Sequence, residues 1–138
     1  MWYNTGGTNY LYNGGGNIAS INGTTGAYTA LSDRNKKKDF EESNIGLDAV
    51  LKLKPTLFRM KDASVDSPKE LGFIAQDVKD IIPQAYVEHE LTEDAGGNAS
   101  TYIGLSDRPI IAVLTKAIQE LSAQNTALEA RLAQLEAK

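Results

Sequence analysis

The stretch "LSDRNKKKD", residues 31–39, sets the hydroxyl of Ser32 five positions ahead of the amine of Lys37, inside three consecutive lysines. A serine hydroxyl is a weak nucleophile until a base takes its proton. The chain has one histidine, His89, and no cysteine. Disulfides and thiolate metal sites are therefore excluded, and a zinc site or a Ser-His-Asp triad would have to rest on His89 alone. Lysine is the remaining base. It can serve where desolvation or a neighbouring cation favours its neutral form. Mutual repulsion among Lys36, Lys37 and Lys38 works in that direction. By spacing alone, the basic run also reads as an ordinary solvated face. Ser32 stands where an uncharged region gives way to charge, and exposed junctions of that kind are where chains are cut.

The letters "LSDR" recur at residues 105–108, followed by "PIIAV". Here the context is that of a helix start. Ser106 suits an N-cap, Asp107 the first turn, and Pro109 is tolerated there. A heptad follows. Ile111, Ile118, Asn125 and Leu132 take a positions; Leu114, Leu121, Leu128 and Leu135 take d positions. This unbroken 3-4 repeat predicts a coiled-coil helix over 107–137. Asn125 at an a position would fix register and strand number. Arg131 at g and Glu136 at the following e can pair between chains. Ile at a with Leu at d leans towards a dimer by the simple rule.

Residues 1–30 hold no charged residue and are rich in Gly, Asn, Thr and Tyr. The segment is too poor in aliphatics to build its own core. Four tyrosines and a tryptophan argue against a plain linker. The pieces "NYLY", "NIASI" and "GAYTAL", separated by Gly and Asn, read as strands and tight turns. Such a segment needs other chains, or more of its own, to complete a sheet.

Between these ends lies a small α/β region. "IGLDAVLKL" fits a short amphipathic helix carrying Ile45, Leu47, Val50, Leu51 and Leu53, with Ser43 or Asn44 as its cap. Pro55 ends it. "TLFRMK" alternates as a strand, with Leu57 and Arg59 on one face. "LGFIAQDVKDIIP" begins extended and turns helical, burying Ile74, Val78, Ile81 and Ile82, and Pro83 stops it. "QAYVEHE" and "TYIGL" read as strands, and "LTEDAGGNAS" as an exposed loop.

The whole chain carries a net charge of -4. A mildly acidic protein is a poor general binder of nucleic acid. No apolar run reaches membrane-spanning length, so no membrane partner is expected. The start at "MWYNTGG" reads as a point inside a longer polypeptide.

Taken together, "LSDRNKKKDFEE", "LKLKPTLFRMK", "LGFIAQDVKDIIP" and "IIAVLTKAIQELSAQNTALEARL" resemble the endosialidase-type intramolecular chaperone domain. That domain closes phage tailspikes, tail fibres and neck appendages, with a relative in transcription factors of the myelin regulatory factor type. The resemblance runs from about Leu31 to the C-terminus. The family motif Ser-Asp-Arg, two variable residues, Lys falls on Ser32 and Lys37, implying nucleophile and base. Lys36 and Lys38 depart from the usual apolar residue and threonine, so Lys37 is the best assignment among three. Gly72, Phe73, Ile74, Ala75 and Gln76 match the central block.

The implied fold class is α+β: a small mixed core, a β-rich N-terminal fibre stub over 1–31, and a chaperone domain over 32–138 ending in the coiled-coil helix, as a homotrimer. The implied partners are two further copies and the upstream fibre or tailspike segment of the same polypeptide. The implied activity is trimerisation, chaperoning of a triple-β-helix fibre, and self-cleavage as a serine endopeptidase that needs no metal or cofactor. Assembly would take place in the host cytoplasm, with the upstream part ending in the virion.

The bond cut follows from ring strain. Ser32 attacking its own carbonyl would close a four-membered ring, whereas attack on the Leu31 carbonyl passes through a five-membered one. Scission between Leu31 and Ser32 is therefore favoured. Scission between Ser32 and Asp33 remains open if attack crosses between chains. Arg34, Asn35 and Gln76 are candidates to steady the oxyanion.

Overall fold

A computed structural model describes residues 2–91 and 100–137 of the chain. The loop expected at 91–100 falls almost wholly outside them. The chain divides into two compact units, Met1–Glu42 and Ser43–Lys138. The fold is mixed α/β, with small sheets and one long C-terminal helix.

The first unit is an antiparallel meander of four strands: β1 (Trp2–Thr5), β2 (Thr8–Asn13), β3 (Gly16–Asn22) and β4 (Tyr28–Ala30). The three expected pieces each fall on a strand, and β1 is added ahead of them. The β1–β2 turn is Gly6–Gly7, with φ of 57° and 77° at the two residues. Two successive positive φ values are what a tight hairpin of this hand demands, and glycine adopts them without a Cβ clash. Between β3 and β4, the Asn22 side chain accepts hydrogen bonds from the amides of Thr24 and Thr25, both at 2.9 Å. Among the residues of this unit whose burial is described, only Ala19 is buried. A single sheet layer with one buried alanine has no second layer to close a core.

In the second unit, α1 (Leu47–Val50) is a single turn, β5 (Thr56–Phe58) pairs antiparallel with β6 (Glu70–Gly72), and α2 (Ala75–Val78) follows. After a short 3-10 turn at Pro83–Ala85, β7 (Tyr86–Leu91) pairs antiparallel with β8 (Ser100–Leu105). Helix α3 then runs from Asp107 to Glu136, 30 residues. The core is compact: Ala49, Val78, Ile82, Ala85, Ile110 and Val113, flanked by half-buried Ile45, Val50, Leu53, Phe73, Ile81 and Leu105. Of the expected inward residues of 74–82, Val78 and Ile82 are buried in this core and Ile81 packs against it, while Ile74 is only half-buried.

Local details differ from expectation in four places. Leu51, expected among the apolar residues of the first helix, lies just past its end and is 74% exposed. Helix α1 is not capped by Ser43 or Asn44. Its N-cap is Gly46, and the first amide, Leu47 N–H, donates instead to the Glu120 carboxylate on α3 at 2.7 Å. The face of β5 that carries Leu57 is the outer one: Leu57 and its cross-strand partner Leu71 are both exposed, while Thr56 and Phe58 turn inward. Ser106 is the N-cap residue of α3 but makes no side-chain cap bond; its amide donates to the Ala85 carbonyl at 2.8 Å.

Helix α3 carries two apolar stripes. Ile110, Val113 and Ala117 are buried against the unit. The heptad residues sit one position later in sequence, rotated by about 100° around the axis, and they are bare. Ile111 is 58% exposed, Leu114 40%, Ile118 68%, Leu121 47%, and Leu128, Leu132 and Leu135 58% each. Past Glu120 every described residue of the helix is exposed, Asn125 included. Among the described residues no helix is long and apolar enough to cross a membrane.

Candidate functional site

Leu31 continues the line of β4. Its amide donates to the Ile18 carbonyl of β3 at 2.9 Å, so the residue before Ser32 is held by the sheet. The chain then tightens into a 3-10 turn at Arg34–Lys36. Asp33 starts this turn: its carboxylate accepts the Asn35 amide at 2.9 Å. Two backbone bonds close it, from Lys36 N–H to the Asp33 carbonyl and from Lys37 N–H to the Arg34 carbonyl, both 3.1 Å. An aspartate whose side chain takes the amide two residues on is a common way to begin a turn, because the carboxylate satisfies a donor the turn leaves bare.

The turn folds the chain back by the length of one lysine side chain. Lys37 Nζ lies 2.8 Å from Ser32 Oγ and donates to it. Both residues are exposed. With one proton fewer on Lys37 the same contact runs the other way, and the serine hydroxyl donates to the amine lone pair. That is the geometry of a nucleophile beside its base, within the range proton transfer requires.

The neighbouring lysines do not share this position. Lys38 Nζ reaches Asp39 at 3.9 Å, an exposed pair of little energetic weight. Of the oxyanion candidates, Arg34 has its guanidinium 4.5 Å from the centroid of the Phe40 ring. Asn35 gives its amide to Asp33, and Lys36 and Lys37 give theirs to carbonyls. The remaining backbone donors downstream of Ser32 in the turn are those of Asp33 and Arg34. Gln76 is exposed in α2 of the second unit.

Sequence reasoning saw Asp33 only as a neighbour of the alternative scissile bond. Its capping role was legible in the Asp-x-Asn spacing. Phe40 had no local signal, since its approach to Arg34 depends on Asp39 at φ 55°, the one non-glycine residue with positive φ among those described. Beside the site, between β2, β3 and β4, lies an open cavity of about 280 Å³ with mostly apolar walls. Tyr10, Ile18, Ala19, Leu31 and Ser32 are among the residues that line it.

Residues 32–86 match the family described as chaperone of endosialidase, so the resemblance read from the sequence is borne out. The long tail fiber protein Gp37 of Enterobacteria phage K3 is 32% identical over 103 residues, 73% of this chain and 8% of that protein. The protein of the same name from Enterobacteria phage T2 is also 32% identical over 103 residues, covering 7% of its length. The chain thus spans less than a tenth of the curated relatives it matches.

Proposed function

With residues 32–86 in the chaperone-of-endosialidase family, we propose that the chain is the C-terminal intramolecular chaperone of a phage fibre. It trimerises, assists the folding of the β-rich segment ahead of it, and releases itself by Ser-Lys autoproteolysis. The family and the tail-fibre relatives support the fibre-associated chaperone role. The self-cleavage rests on one observation, the 2.8 Å contact between Lys37 Nζ and Ser32 Oγ.

In this reading neutral Lys37 takes the Ser32 hydroxyl proton. The oxygen attacks the Leu31 carbonyl carbon through a five-membered ring. Amides such as those of Asp33 and Arg34, or the side chains of Arg34 or Asn35, steady the oxyanion. The Leu31–Ser32 carbon–nitrogen bond breaks, and the proton passes from Lys37 to the Ser32 nitrogen. Water then hydrolyses the resulting ester, leaving a Leu31 carboxylate and a free serine hydroxyl. In this reading the dyad, exposed in a single chain, is gated by assembly. Assembly that covers the pair removes water from Lys37 and favours its neutral form.

The bare a/d stripe of α3 supports the trimer. Three helices joined along Ile111, Leu114, Ile118, Leu121, Asn125, Leu128, Leu132 and Leu135 bury that stripe, and Asn125 sets the register. Gathering three ends brings the upstream segments to a local concentration of roughly millimolar. That offsets the loop-closure cost of winding a β-fibre of high contact order. Threefold rather than twofold pairing follows from the fibre. Assembly takes place in the host cytoplasm, and the released upstream part goes to the virion tail or neck.

The second reading is a trimerisation module without chemistry, in which the solvent-exposed dyad is an ordinary polar contact. A denaturing gel of the fibre carrying this chain separates the two. Cleavage that disappears in both Ser32→Ala and Lys37→Ala supports the peptidase. A native trimer that stays uncut in the parent supports the module.

A further inference from the structure

The dyad depends on a loop that has little else to hold it. From Arg34 to Phe40 every residue is exposed, and no regular element follows the 3-10 turn before α1. Lys37 lies at the middle of this span. A lysine side chain has four rotatable carbons, and the entropy lost in fixing it on Ser32 disfavours the contact unless its backbone is already set.

We propose that the Arg34–Phe40 stack is a clamp that sets the reach of Lys37, and that Phe40 is a positioning residue for the self-cleavage. This rests on the peptidase reading above. The guanidinium carbon lies 4.5 Å from the ring centroid, well inside the distance at which a cation is attracted to an aromatic face. The same Arg34 accepts the Lys37 amide on its carbonyl. One residue thus holds the lysine backbone from one side and, through its side chain, the far end of the loop from the other. Asp39, in the left-handed region, supplies the reversal that returns Phe40 over Arg34. With Asp33 capping the near end, the loop is closed at both ends around Lys37. The clamp also explains why a phenyl ring stays 58% exposed in a polar stretch with no apolar residue between it and Leu31. Its partner is a cation, which bulk water does not exclude.

The test compares two replacements of Phe40 in the full-length fibre precursor. Phe40→Leu keeps an apolar side chain and removes the ring; Phe40→Trp keeps an aromatic face. Cleavage is followed over time on denaturing gels, with the trimer fraction measured in parallel on native gels. At equal trimer fraction, Phe40→Leu should slow cleavage by about two- to fivefold, the factor that an exposed cation–π contact of this kind is worth, and Phe40→Trp should keep the parental rate. Equal rates for Phe40→Leu and the parent, or equal slowing in both variants, would overturn the clamp. Should Ser32→Ala cleave as fast as the parent, the peptidase reading fails instead. Amide exchange at Lys37, measured in the Ser32→Ala background, still decides the clamp. Faster exchange in Phe40→Leu than in Phe40→Trp supports it, and equal exchange rejects it.

Discussion

At the scale of single residues, what separates Lys37 from its neighbours is turn geometry. Three adjacent lysines are alike in charge, yet the hydrogen bonds from Asn35, Lys36 and Lys37 amides to Asp33 and Arg34 bring only Lys37 back onto Ser32. Replacing Lys37 by alanine should therefore slow cleavage of the precursor by about a hundredfold or more, the usual scale of a lost general base. Lys36→Ala and Lys38→Ala should cut at close to the parental rate. Gel time courses of the three variants distinguish a positioned base from a generally basic face. The pairing of Ser32 with Lys37 was legible only through the family motif, since the spacing by itself reads equally well as a solvated basic face. The Arg34–Phe40 contact was not. It depends on a backbone reversal at Asp39, and aspartate visits that region only occasionally.

At the scale of elements, periodicity was the readable part. Proline and the apolar spacing of 74–82 predicted a buried face, and Val78 and Ile82 are each only 1% exposed. Truncating Ile82 to alanine should cost about 2–5 kcal/mol, read as a lower midpoint in denaturant unfolding. The heptad of α3 was equally plain. Its second stripe, Ile110, Val113 and Ala117, was hidden because it lies one residue away and overlaps the first in any window. The Glu120–Leu47 bond was beyond sequence reasoning altogether, since it joins residues 73 positions apart. A methyl group at Gly46 would collide with that carboxylate. Gly46→Ala should push Glu120 away and lose a charge-assisted bond, destabilising the unit by about 1.5–3 kcal/mol in the same unfolding assay. A smaller effect belongs to β7. The Tyr86 hydroxyl donates to Glu88 at 2.9 Å, and this bond, with some burial and the carboxylate charge, holds its pKa above 10.0, partly opposed by Lys79. Raised in the folded state, the phenol contributes stability that is complete below the ordinary tyrosine value and is lost as pH rises through its own. Phenolate absorbance in the folded protein should accordingly appear at higher pH than in the unfolded chain.

At the scale of the whole molecule, the described residues of the second unit include a buried cluster of six and a helix that is exposed at every described position past Glu120. The first unit is a sheet with one buried alanine among its described residues. Neither pattern suits a chain meant to stand alone, and both fit the proposed trimer. A charge on the seam, as in Leu121→Asp, should lower the assembly from three chains towards one in sedimentation equilibrium, with the folded core retained. The same change should abolish cleavage if, as proposed, assembly is what covers the dyad. Mass spectrometry of the mature full-length fibre bears most directly on the central claim. The account predicts a C-terminal fragment that begins at Ser32, together with an upstream fragment ending at Leu31, both missing from Ser32→Ala. A fibre that reaches its native trimeric state with every chain intact would contradict it.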